Sequence, residues 1–289
     1  MAFLYKITTG PGGEPVIDFA NQDDTCTMFD GTGLRICPDI GKDIATCQEE
    51  HGKTILLSIG GATYDEGGFS SEDAATAAAG KLWAMFGPAG DDDSVPRPFG
   101  DTVIDGFDFD FESPSANMAP FASELRSLMD TDSSKQYFLT AAPQCPFPDQ
   151  AMDEMLSGGV PFDAVFVQFY NNKCGLDSFI PGGMNQSSFN YATWDRWAKE
   201  TSANPDVRIL LGVPAASNAA STGYLPLASL EPVIEYCKRF SSFGGIMTWD
   251  VSMADASEGF LEGIKGSLMP TMRHPLRMWR SKPESWYRR

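Results

Sequence analysis

The sequence predicts an α/β chain of the TIM (β/α)8-barrel type, and three observations carry that reading. Short apolar runs alternate with helix-like segments along nearly the whole chain, which calls for parallel β/α units. The run Asp105-Gly106-Phe107-Asp108-Phe109-Asp110-Phe111-Glu112 alternates acid and phenylalanine with the two-residue period of a strand. Seven strands are readable, beginning near residues 2, 54, 102, 137, 164, 207 and 245, where a closed barrel has eight.

Taken in order, Ala2–Ile7 is a short apolar strand and Gly10–Gly13 a turn. Asp23–Cys37 reads as an irregular loop rich in Gly, Asp and Thr. Asp43–His51 is a helix, and Thr54–Ser58 a buried strand leading into Gly60-Gly61. Ser71–Phe86 is a helix with Ser71 as its N-cap and acids in its first turn. After a Gly/Pro/Asp loop and the acidic strand come a helix over Met118–Met129 and a strand over Tyr137–Ala142. A short helix around Gln150–Leu156 and the strand Ala164–Tyr170 follow. The pattern closes with helix Tyr191–Thr201, strand Val207–Val213, helix Leu227–Phe240, strand Gly245–Asp250 and helix Ser257–Ser267. Residues 1–268 therefore read as one barrel domain. Residues 269–289 form a basic, Pro-punctuated tail expected to be disordered, carrying Arg273, Arg277, Arg280, Lys282, Arg288 and Arg289.

The bulk numbers exclude several functions. Lys+Arg total 21 against Asp+Glu 39, a net charge of −18, which disfavours nucleic acid and anionic membranes as partners. No apolar run approaches the roughly 18–20 residues of a membrane span. Two histidines, His51 and His274, with no Cys-x-x-Cys or His-x-x-x-His spacing, argue against a zinc site. A monomer working without metal or organic cofactor is the expectation.

The acidic strand is where chemistry is expected. Asp108, Asp110 and Glu112 project to one face, and Phe107, Phe109 and Phe111 to the other. Neighbours on one strand face lie roughly 6–7 Å apart. Three carboxyls that close do not all ionise cheaply near neutrality. The row thus supplies a neutral acid that donates a proton and an ionised partner that accepts one. The alternative is a wet acidic edge strand; the three aromatics, which must be buried, weigh against it.

Asp105-Gly106-x-Asp108-x-Asp110-x-Glu112 resembles the signature of family 18 glycoside hydrolases, the chitinases. Ser58-Ile59-Gly60-Gly61 is similar to the family's second motif. Ala141-Ala142-Pro143-Gln144-Cys145-Pro146, Gln168-Phe169-Tyr170-Asn171-Asn172 and Gly245-Ile246-Met247-Thr248-Trp249 resemble its plant and fungal, class III (hevamine-like) branch. The resemblance implies an eight-stranded barrel that cleaves β-1,4-linked N-acetylglucosamine polymers with retention. The substrate's own 2-acetamido group is then the nucleophile, which sets this family outside the two-carboxylate rule.

Carried onto this sequence, the resemblance makes Glu112 the general acid and then the base. Asp110 polarises the acetamido nitrogen, and Asp108 shares a proton with Asp110. Tyr170 bonds the acetamido carbonyl, Gln168 contacts the same sugar, and Trp249 forms its apolar floor. Phe3, Gly61 and Asn171 join the substrate-binding set. Phe3 and Tyr170 also suit the core, and Gly61 also suits packing support. Asp105 is read as structural. The resemblance pairs Cys26 with Cys37 and Cys145 with Cys174, and leaves Cys47 unpaired and Cys237 without a counterpart. Two bridges and the sequon Asn185-Gln186-Ser187 suit a secreted or cell-wall address.

The family's first strand, with its Tyr-Trp-Gly-Gln-type motif, its helix and a signal peptide are absent from the sequence. The expectation is an N-terminally truncated barrel with unpaired edges at Ala2–Ile7 and Gly245–Asp250, destabilised and weakly active. Three activities compete: an endo-acting chitinase, a chitin-binding lectin with impaired catalysis, and an endo-β-N-acetylglucosaminidase acting on glycoproteins. The intact Asp108, Asp110 and Glu112 favour an enzyme, and the 168–172 run favours the chitinase branch.

Overall fold

The computed structural model of the chain describes residues 3–20 and 25–269, so Ala2 and all of the basic tail beyond Met269 lie outside the described residues. All seven strands read from the sequence form and run parallel: β1 (Phe3–Lys6), β5 (Leu57–Gly60), β6 (Gly106–Asp110), β7 (Phe138–Ala141), β8 (Ala164–Gln168), β9 (Arg208–Pro214) and β10 (Phe243–Trp249). An eighth strand, β2 (Val16–Asp18), pairs antiparallel with β1. The order β10-β9-β8-β7-β6-β5-β1-β2 does not close on itself.

The expected open edge at the first strand is therefore corrected. The hairpin partner β2 satisfies it, placing Asp18 opposite Phe3 and Ile17 opposite Leu4. Its three residues were too short to show a period. A second pair, β3 (Thr27–Met28) with β4 (Arg35–Ile36), orders part of the stretch read as irregular loop. The Cys26–Cys37 bridge, with Cα atoms 4.9 Å apart, staples its two ends.

Helices cover the outer face of the sheet. They are α1 (Pro38–Glu49), α2 (Glu72–Phe86), α3 (Met118–Thr131), α4 (Asp153–Ser157), α5 (Tyr191–Glu200), α6 (Leu227–Cys237), α7 (Val251–Ala256) and α8 (Phe260–Leu268). Ser71 caps α2, its hydroxyl accepting the Ala74 N–H at 3.2 Å. The phenylalanine face of β6 turns outward beneath these helices. Phe107 and Phe109 are wholly buried, and Phe109 meets Phe121 of α3 at 5.7 Å and Phe162 at 6.2 Å between ring centroids. Each such phenylalanine contributes about 1.5–3 kcal/mol. That burial holds the strand's opposite face, with its acids, inward.

Candidate active site

The parallel register builds the centre of the site. Ser58 of β5 and Thr140 of β7 are the register partners of Asp108 on either side. Their hydroxyls donate to its carboxylate, Ser58 Oγ to Oδ2 at 2.8 Å and Thr140 Oγ1 to Oδ1 at 2.6 Å. Both Asp108 oxygens are thereby engaged as acceptors. Burial pushes this carboxyl up, while the Thr140 and Ser58 hydroxyls pull it down.

Asp110, two residues on, is 7% exposed. Burial pushes its carboxyl well above the ordinary range, and the charges of Asp108 and Glu112 push it further. Opposing this, Gln168 Nε2 donates to Asp110 Oδ1 at 2.8 Å. The same nitrogen donates to the Ala142 carbonyl at 2.8 Å. The Gln168 Nε2 thus holds Asp110 in place, a contact the sequence reading did not assign to it.

Gly60 pairs with Asp110 across β5 and β6. Its φ is +112°, and a Cβ there would stand 2.5 Å from the Asp110 carbonyl oxygen. Gly61 N–H donates to that oxygen at 2.7 Å. A Cβ on Gly61, whose φ is +82°, would stand 3.0 Å from the Phe3 ring. Gly61 therefore lets Phe3 and Asp110 approach the same turn of backbone.

Glu112 lies two residues past the end of β6 and is exposed to solvent. Its carboxyl is raised, first by partial burial and then by the charge of Asp149. Tyr170, 5% exposed, sits just beyond the end of β8. Burial and the charges of Asp110, Glu112 and Asp108 raise its phenol, so it is a neutral hydroxyl within electrostatic reach of three acids. Trp249 ends β10, is 38% exposed, and meets Phe3 at 5.9 Å between ring centroids. The first and last parallel strands thus bring an aromatic pair together at the mouth where the acids emerge.

Asn171 has a structural task beside the one expected. It adopts a left-handed φ of +59°, and its Oδ1 accepts the N–H of Ser221 at 2.7 Å and of Thr222 at 3.3 Å. Its amide oxygen braces the 221–222 backbone. Asp105 stays outside the site, accepting the Ile55 N–H at 2.7 Å, Gln48 Nε2 at 2.8 Å and Lys135 Nζ at 2.9 Å. The Cys145–Cys174 bridge ties the loop after β7 to the loop after β8, closing a separation of 29 residues. A loop of that size contributes roughly 3–4 kcal/mol in the chain-entropy account. Cys47 and Cys237 are free.

Two residues of the site escaped sequence reasoning. Thr140 left a weak signal, a hydroxyl in the apolar run Phe138-Leu139-Thr140-Ala141. Asp149, in a Pro-rich loop, left none. Among the described residues, no group of three or more His, Cys, Asp or Glu is placed to hold a metal ion, and no helix is long and apolar enough to cross a membrane.

Residues 16–227 match the sequence profile of the Glycosyl hydrolases family 18. The chain belongs to glycosyl hydrolase family 18. A class III chitinase of Arthroderma benhamiae is 55% identical over 279 residues, covering 96% of this chain and 84% of that protein. Endochitinase 33 of Trichoderma harzianum is 48% identical over 269 residues, covering 93% and 81%. Among solved structures, the ICChI chitinase from Ipomoea carnea aligns with a TM-score of 0.72 at 27% identity, over 93% of this chain and 88% of that one. A xylanase and α-amylase inhibitor protein from Scadoxus multiflorus aligns equally well, at 0.72 and 29% identity, over 91% and 88%. Family 18 membership makes this chain a glycoside hydrolase by descent. The same fold also carries an inhibitor, so catalysis resides in the side chains and not in the fold.

Proposed function

We propose that this family 18 chain is an endo-acting chitinase that hydrolyses β-1,4-N-acetylglucosamine linkages with retention by substrate-assisted catalysis. The observation that carries the reading is Asp110: a carboxyl buried between two other acids and gripped by Gln168. The Gln168 N–H favours the ionised form of Asp110, and in that form it holds the acetamido nitrogen while positive charge grows there.

In the first step Glu112 gives its proton to the leaving glycosidic oxygen. The acetamido carbonyl oxygen forms a bond to C1 as the C1–O bond breaks, yielding an oxazolinium ion. Asp110 faces the acetamido N–H, and Asp108, held by the Ser58 and Thr140 hydroxyls, stands behind it. The Tyr170 hydroxyl donates to the acetamido oxygen and aligns it for attack. In the second step Glu112, now ionised, takes a proton from water, which attacks C1 and reopens the ring. Two inversions leave the configuration retained. The flat Trp249 indole, with Phe3 beside it, suits the apolar face of a pyranose.

Secretion to the medium or wall, and a monomeric state, belong to the same proposal; two disulfides and an acidic surface support the address. A binding-only role draws on the likeness to the plant inhibitor, but the complete acid set with its hydroxyl partners favours turnover.

The deciding assay is chitooligosaccharide cleavage by the wild type beside Glu112→Gln. The expected result is hydrolysis by the former and, in the latter, a loss of about 10²-fold or more with binding retained. Binding without cleavage by the wild type would establish a lectin. Release of N-glycans from glycoprotein in preference to chitooligosaccharide cleavage would establish the endo-β-N-acetylglucosaminidase. Undiminished hydrolysis by Glu112→Gln would end the assignment of the acid.

A further inference from the structure

The span between β8 and α5 leaves the end of β8 beside Tyr170 and carries a motif that the catalytic reading does not use. Asn185-Gln186-Ser187 is the one Asn-x-Ser/Thr run in the chain. Such a run can carry a sugar chain in the folded protein only where the asparagine amide stands in solvent with room around it, because the added group is bulky and hydrophilic. A helix turns residues two apart to different faces, and a packed strand leaves no space. Neither applies here, since residues 179–190 form no helix or strand.

Asn185 and Ser187 are both exposed, whereas Gln186 between them is half-buried. The Gln186 side chain accounts for the difference. Its Oε1 accepts the Ile180 N–H at 2.7 Å, and its Nε2 donates to the carbonyls of Ile180 at 2.9 Å and Gly183 at 3.1 Å. Both ends of that amide are engaged inside the loop, which closes residues 180–186 on themselves. The middle residue of the motif is turned in and its two flanking residues are left outside. Neither the Asn185 amide nor the Ser187 hydroxyl hydrogen-bonds to any described residue. Beside them Met184 is 81% exposed and Ile180 47%. A loop whose methionine stands in water has nothing packed over it, so a group attached next to that methionine displaces no contact. The Cys145–Cys174 bridge and α5 hold the two ends of the span in place.

We propose that Asn185 is an acceptor site for an N-linked glycan, held outward on a loop that the Gln186 side chain closes. The inference rests on the reading of the chain as secreted. The donor is a lipid-linked oligosaccharide diphosphate. Asn185 Nδ2 bonds to C1 of its first sugar and gives up one proton, and the lipid diphosphate departs with the electron pair of the broken C1–O bond.

The test expresses the full chain behind a cleavable leader in a glycosylating secretory host and digests the secreted protein with a peptide:N-glycosidase in ¹⁸O water. The expected result for the wild type is the loss of one glycan's mass and an ¹⁸O-labelled aspartate at position 185. Asn185→Gln and Ser187→Ala should each abolish that mass loss. An unmodified Asn185 in the secreted wild type overturns the proposal, and so does a mass loss undiminished in Asn185→Gln. Should either variant fail to fold, the labelled position in the wild type decides alone. Should the protein prove intracellular in its own organism, the secreted address fails, and the leader-directed experiment still decides whether Asn185 is an acceptor.

Discussion

Replacing Gln168 by Leu tests the centre of the site. Leucine keeps much of the volume but removes Nε2, which donates at 2.8 Å to both Asp110 Oδ1 and the Ala142 carbonyl. Gln168 is 7% exposed, so water does not readily replace either bond. Each orphaned acceptor costs about 1–3 kcal/mol, giving roughly 2–6 kcal/mol if both stay unmet. A protonated Asp110 is able to turn and recover part of its share, so about 1 kcal/mol, the Ala142 term alone, is the floor. At roughly 2–4 °C per kcal/mol, the melting temperature should fall by at least about 2 °C and by as much as about 24 °C. The kinetic effect should be larger than the thermal one. Gln168 is the partner that favours charge on Asp110, and Asp110 acts on a positive charge that exists only after the ring has begun to close. The loss should therefore fall on kcat, by about 10²-fold, with KM moved far less. Steady-state kinetics on a chitooligosaccharide and a thermal melt measure both. Wild-type kcat together with wild-type melting would refute the argument that Gln168 organises Asp110.

Two further outcomes follow from the same geometry. Asp110, Asp108 and Glu112 all hold protons more tightly folded than their ordinary values. Between the unfolded and folded values the native state binds more protons, so stability is lost as pH rises through that window. Thermal melts should show a higher melting temperature at pH 5 than at pH 7.5. Asp110→Asn should flatten that slope and melt above the wild type at pH 7.5; melting at or below it would contradict the burden assigned to this carboxyl. Gly60→Ala places a Cβ 2.5 Å from the Asp110 carbonyl at a φ of +112°. Left-handed strain of about 1–2 kcal/mol and overpacking of about 1–3 kcal/mol predict a fall in melting temperature of roughly 4–20 °C. A scanning calorimeter checks this, and an unchanged melt would show that the turn yields freely.

What the sequence determined by itself was local and periodic. Acid and phenylalanine alternate from Asp105 to Glu112, and that parity alone sends the aromatics to the helices and the acids inward. The seven parallel strands were legible for the same reason, since each is a run of apolar residues bounded by turn formers. The strip Val16–Asp18 was not, because three residues show no period and its role as a cover for β1 depends on where the chain folds back. Register was likewise invisible: nothing in the primary structure says that Ser58 and Thr140 flank Asp108, or that Gln168 reaches Asp110 from two strands away. Those contacts join residues 32 to 58 positions apart. Tertiary structure alone decided them, and with them the proton affinities, because burial and neighbouring charge are set by what the rest of the chain packs around a carboxyl.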